Sequence, residues 1–184
     1  MTRIDLLDYL RGPGKLWLGL FVLVVAPVLG VWQAIALYGQ GAYLDVVLGC
    51  TPVEGILESG FHFQEYSGSE PFRWTHGGAK LLVPINPRRP PQHLWISIET
   101  LRPKAGPVRF QVLMDDILVF DESVPLGKWE KTLDLPSEQF SDKVMVELRS
   151  DTFVPKGVID GGKNTDTRVL GVQVKGIMLK RDEK

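Results

Sequence analysis

Short runs of alternating apolar residues after residue 58, turn formers between those runs, and one long uncharged stretch near the N-terminus predict the fold class. It is an all-β chain, a jelly-roll-like β-sandwich on a single N-terminal transmembrane α-helix. Averages conceal this: 184 residues, 44% hydrophobic, 23% charged and net charge −1 describe an ordinary soluble domain. The distribution instead divides the chain into a cytoplasmic tail (1–15), a transmembrane helix (16–38), a juxtamembrane linker (39–57) and an extracytoplasmic sandwich (58–184). The balanced charge argues against a nucleic-acid partner, which would call for a basic excess. The single cysteine, Cys50, excludes an intramolecular disulfide and a cysteine-based zinc site.

Residues 2–11 read as a short amphipathic helix with Thr2 as cap and Ile4, Leu6, Leu7 and Leu10 on one face. Gly12-Pro13-Gly14 breaks it. From Leu16 to Leu37 no residue is charged, and Gln33 is the one strongly polar side chain. At 1.5 Å per residue this stretch makes a helix of about 33 Å, enough to cross a bilayer core. Trp17 at one end and Trp32 and Tyr38 at the other are placed as interfacial anchors, and Pro27 should kink the helix. Arg3, Arg11 and Lys15 precede the span, while no lysine or arginine follows until Arg73. The positive-inside rule therefore puts the N-terminus in the cytoplasm and the C-terminal part outside a bacterial inner membrane, in the periplasm. Ala34-Ile35-Ala36 resembles a signal-peptidase site, but the apolar run is too long for a signal core. Val47-Leu48-Gly49-Cys50 resembles a lipoprotein box, yet it lies far beyond the basic flank with Asp45 interposed. An uncleaved anchor is the expectation.

Beyond residue 58, strands are expected over 61–65, 79–83, 93–99, 108–114, 117–121, 128–135, 144–149 and 172–179. Turn formers separate them, including Pro84 to Pro91, 103–106 and 160–162. Asp115-Asp116 should be the centre of a two-residue hairpin. About eight short strands at this spacing fit a jelly roll.

Three motifs occur in order: Phe72-Arg73-Trp74-Thr75, the run Leu148 to Pro155, and Asp166-x-Arg168-x-Leu170-Gly171-Val172. Together they make residues 58–180 resemble a small carbohydrate-binding-like β-sandwich module of bacterial envelope proteins, often joined to or near multispanning membrane glycosyltransferases. The resemblance implies a jelly roll outside the cytoplasmic membrane. Unlike the usual setting, this module is attached to one helix, without a multispanning catalytic partner in the same chain.

Chemistry-bearing residues are sparse. His62, His76 and His93 lack paired metal-ligand spacing. Asp121 and Glu122 are adjacent in a strand and point to opposite sides, so they do not make a glycosidase pair. Ser150, Asp151 and the histidines lack a nucleophile elbow. The loop 160–166 has calcium-type oxygens but neither EF-hand spacing nor a favourable charge at Lys163. No catalytic, cofactor or metal residue is assigned, and no enzyme activity is expected. Residues offered for ligand or partner contact are Trp74 and Trp129, whose rings could stack on a pyranose, with Arg149, Asp151 and Arg168 to bond its hydroxyls. Core packing is the competing role for both tryptophans, and more so for Trp95. The leading functional expectation is a non-catalytic accessory subunit of a bacterial membrane complex, for example photosynthetic or respiratory, in contact with lipids and other integral membrane subunits. The alternative is a membrane-anchored glycan-binding module that assists an envelope glycosyltransferase.

Overall fold

The computed structural model describes residues 28, 45–101, 106–136, 140–156 and 163–182. The expected tail and the anchor with Trp17, Pro27, Trp32 and Tyr38 lie outside the described residues, apart from Val28. Among the described residues no helix is long and apolar enough to cross a membrane. The chain divides into two units, Met1–Ala42 and Tyr43–Lys184, and the second carries the β-strands.

The described residues of this second unit form an all-β sandwich of eight antiparallel strands: β1 (Leu57–Ser67), β2 (Glu70–Pro84), β3 (His93–Thr100), β4 (Val108–Met114), β5 (Ile117–Val124), β6 (Gly127–Asp134), β7 (Lys143–Ser150) and β8 (Gln173–Lys180). The hydrogen-bonded order is β5-β4-β7-β2-β8-β3-β6, with β1 on β2. The path is continuous, and the long strand β2 links its two halves, β5-β4-β7 and β8-β3-β6, which face each other as the two sheets of the sandwich. The second half of β2, Gly78 to Pro84, pairs with β7, whereas Arg73 and Trp74 pair with Val174 and Gln173 of β8. Gly77, at φ +93°, stands between the two stretches, and a Cβ there would strike Thr152. Gly60 marks the corresponding break in β1 at φ +76°, where a Cβ would collide with the carbonyl oxygen of Gly78. Both strands turn from one sheet to the other where only glycine fits.

Period-2 alternation supplies the filling. Leu94, Ile96 and Ile98 of β3 and Val144, Val146 and Leu148 of β7 point inward from opposite sheets into one apolar core. Phe110 of β4, fully buried, meets Trp129 of β6 edge-on at 5.9 Å, and Phe120 of β5 lies 5.3 Å from the same indole. These contacts close the sandwich at its open side. The expected hairpin at Asp115-Asp116 is present, with both residues at positive φ (46° and 66°), as a type I′ turn requires.

Strands β1 and β5 run longer than expected, over Leu57–Ser67 and Ile117–Val124 rather than 61–65 and 117–121, and two further stretches differ more. Strand β2 begins at Glu70 rather than 79, because Phe72, Arg73, Trp74 and Thr75 are buried consecutively and present no alternation to read. Residues 45–56, expected in a linker, dock on the sandwich: Leu48 exchanges both backbone hydrogen bonds with Ile177 (2.7 and 2.9 Å) and is fully buried. Cys50 is buried beside it, and desolvation pushes its thiol above the ordinary value, away from reactive thiolate character.

Candidate functional site: the β1–β2 hairpin surface

The hairpin turn at Ser67 to Glu70 folds β1 back on β2, pairing Phe61 with Thr75 and Gln64 with Arg73, with register shifts between Ser59 and Gln64. The irregularity re-aims side chains at the strand edge. Pro52, Phe61, His62, Phe63, Gln64, Arg73 and His76 line an open depression of about 320 Å³. Phe63 is 92% exposed. His62 and His76 stack with ring centroids 3.7 Å apart and planes 14° from parallel. His62 Nε2 donates to the carbonyl of Val169 at 3.0 Å, which fixes that ring. Burial, and then the neighbouring His62, hold His76 below its ordinary value. A neutral imidazole keeps one donor and one acceptor, the set a hydroxyl group needs.

Arg73 forms the floor. Its guanidinium lies 4.6 Å over the Phe61 ring, its Nε donates to the His62 carbonyl at 3.0 Å, and it is ion-paired with Glu58. Glu58 Oε1 is buried without a hydrogen-bond partner among the described residues. Gln64 donates to the Tyr66 hydroxyl at 2.6 Å, and Tyr66 is 64% exposed. An exposed ring beside neutral polar groups on a rigid floor suits a ligand with an apolar face and several hydroxyls.

The residues offered from sequence do not converge. Trp74 is only 6% exposed, packed with Phe72, Leu170 and Phe153, and has no free face for stacking. Trp129 is half-buried against Phe110 and Phe120. Trp95 lies across Gly176 with Lys180 over its ring at 5.7 Å. Arg149 and Asp151 do come together, in a second depression of about 210 Å³ with Arg109, Gln111 and Ser150. Their charges are already engaged there. Arg149 forks onto Glu147 (2.8 and 3.0 Å), Arg109 forks onto Asp121 (2.9 and 2.7 Å), and Asp151 accepts the Arg109 backbone N–H at 3.1 Å. The Arg109 fork, with Gln111, holds Asp121 down to about 2, and the Arg149 fork holds Glu147 below the ordinary carboxylate range. Arg168 bonds Asp166 and Glu65, bracing the segment that carries Val169 against β1. Of the loop 160–166, only 163–166 is described, and its Asp166 carboxylate is committed to Arg168. Among the described residues no group of three or more His, Cys, Asp or Glu could hold a metal ion.

In the sequence the histidines stand isolated, and the structure corrects this: the hairpin stacks His62 on His76. The turn Ser67-Gly68-Ser69-Glu70, fourteen residues' separation and extended flanks were the available signal. His93 is engaged as well, with Nδ1 2.9 Å from Asp134 and Nε2 2.9 Å from Asp182. The Asp182 hydrogen bond first, with Asp134, raises its imidazole above 6.5. A raised histidine contributes stability that is complete below the unfolded value and lost as pH rises through the folded one. We therefore expect the Asp182 tether to loosen as pH rises above the His93 value. An imidazole found by NMR to titrate at or below 6.5 would contradict this clamp.

No protein-family model matches this sequence, and no curated protein matches it significantly. Solved structures similar to the chain include a family 35 carbohydrate binding module from Clostridium thermocellum, at 9% identity over 72% of this chain and 94% of that one, with a TM-score of 0.41. A family 35 module from an environmental isolate has 13% identity, covers 69% and 93% of the two chains, and gives 0.42. An acetyl xylan esterase from Butyrivibrio proteoclasticus has 16% identity over 73% of this chain and a TM-score of 0.42, but the match spans only 31% of the esterase.

Proposed function

We propose that this chain is a non-catalytic, membrane-anchored module whose extracytoplasmic jelly-roll sandwich binds a glycan of the bacterial envelope at the β1–β2 depression. The carrying observation is the exposed Phe63 ring beside the stacked His62–His76 pair and Gln64. A pyranose has an apolar face that loses water on an aromatic ring, while its hydroxyls take the imidazole and amide partners. The role fits an accessory that holds a neighbouring envelope glycosyltransferase near its substrate, with the 16–38 stretch as anchor. Asp121, Glu147 and Asp166, each held down by a neighbouring arginine, are unsuited to general-acid work, which needs a raised value.

Titrating envelope oligosaccharides into the detergent-solubilised full chain should give micromolar-to-millimolar binding. Phe63→Ala should weaken it about tenfold or more, the scale of a lost aromatic contact, while the unfolding midpoint stays unchanged because the ring is 92% exposed. Affinity indifferent to Phe63→Ala and to His76→Ala would remove this surface from consideration.

A further inference from the structure

The sandwich carries a set of charges that have no carboxylate partner among its described residues. Of the seven arginines among the described residues, four have carboxylate partners: Arg73 with Glu58, Arg109 with Asp121, Arg149 with Glu147, and Arg168 with Glu65 and Asp166. Arg88, Arg89 and Arg181 have none among the described residues, and all three line one open depression of about 700 Å³ with Pro90, Gln92 and Asp182. Its one carboxylate among the described residues, Asp182, is bonded by His93 at 2.9 Å.

The backbone under these guanidinium groups is held in place. The Asn86 side-chain oxygen accepts the Arg88 N–H and its carbonyl accepts the Arg89 N–H, both at 2.9 Å. Pro84, Pro87, Pro90 and Pro91 restrict the loop. The Gln92 N–H reaches the Lys180 carbonyl at 2.8 Å, and the Asp182 N–H reaches the Gln92 side chain at 3.0 Å, joining the loop to the segment carrying Arg181. A fixed backbone lowers the ordering cost of binding.

The place of the cluster in the fold bears on what it could bind. Leu48 pairs antiparallel with Ile177, and the Asp45 N–H donates to the Leu179 carbonyl at 2.9 Å, so the chain enters the sandwich at the Arg181 end. From Tyr38, where the apolar stretch ends, to Asp45 the chain can extend at most about 25 Å. We propose that Arg88, Arg89 and Arg181 bind the phosphodiester headgroups of anionic phospholipids and so seat the sandwich on the outer surface of its own membrane. Guanidinium forks match phosphate oxygens in pairs, and anionic surfaces attract such clusters. The assignment rests on the membrane-anchored reading and is independent of the glycan site.

The test uses the full chain in lipid nanodiscs, read by amide hydrogen exchange at residues 85–92 and 181–182. Discs containing phosphatidylglycerol should slow exchange there relative to pure phosphatidylcholine, and high salt should reverse the effect. Arg88→Gln, Arg89→Gln and Arg181→Gln should each weaken the protection about fivefold, with exchange in β3 and β8 unchanged. Equal exchange in both lipids would overturn the proposal. Inorganic phosphate reproducing the protection in phosphatidylcholine discs would reassign the cluster to a soluble phosphate and overturn the lipid assignment. Carbonate extraction of native membranes separates the two readings: release of the chain overturns the anchor and the lipid seat together, whereas retention with charge-indifferent exchange overturns the arginine assignment alone.

Discussion

Phe110→Ala is expected to destabilise the sandwich by about 3–5 kcal/mol, the cost of a large cavity in a packed core. The side chain is fully buried, and its ring joins the two sheets by meeting Trp129 edge-on at 5.9 Å and Phe120 at 6.2 Å. Truncation removes both aromatic pairs, each contributing about 0.5–1.5 kcal/mol beyond area, and leaves neighbours that cannot collapse without moving a strand. Urea unfolding of the full chain in neutral detergent, followed by tryptophan fluorescence, should show a lower midpoint with an unchanged slope. A loss below about 1 kcal/mol, the level of an ordinary substitution, would mean that the sheets do not close through this cluster.

Leu48→Ala should cost about 2–5 kcal/mol, as for other fully buried leucines, although the sequence places this residue in a linker. Leu48 is fully buried, and its backbone extends β8 by the paired bonds to Ile177. Gly49 follows at φ +81°, where a Cβ would press on Val174 and Ile177, so the segment is fitted closely to the sheet. By the same logic, a chain starting at residue 58 should be markedly less stable than one starting at 43. Equal midpoints for Leu48→Ala and the unaltered chain would show that 45–56 only rests on the surface.

Strands β3 to β8 were legible because each carries apolar residues at alternate positions over much of its length, even where burial reaches both faces, as at Val112 to Met114 of β4 and Val146 to Leu148 of β7. The Asp115-Asp116 turn was legible because few residues tolerate two successive positive φ values. The first half of β2 was not, since it is covered on both sides and has no alternation to display. Nor was the candidate site. Phe63 and His62 lie at an irregularity of β1 whose consequence depends on the register with β2.

The sequence alone determined most of the strand and turn content, the uncharged stretch from Leu16 to Leu37 and the asymmetry of basic residues around it. Each is a local pattern, set by backbone geometry and by the cost of moving charge out of water. Only the tertiary structure decided which charges neutralise one another. Arg168 finds Glu65 across 103 positions of chain, and Arg109 finds Asp121 across a hairpin, while Arg88, Arg89 and Arg181 converge without a carboxylate partner among the described residues. Composition counts lysines, arginines and acids as nearly balanced, but Coulomb attraction falls with distance and is screened by water and salt. What a charge can do is therefore fixed by which side chains the strand order brings within a few ångströms of it.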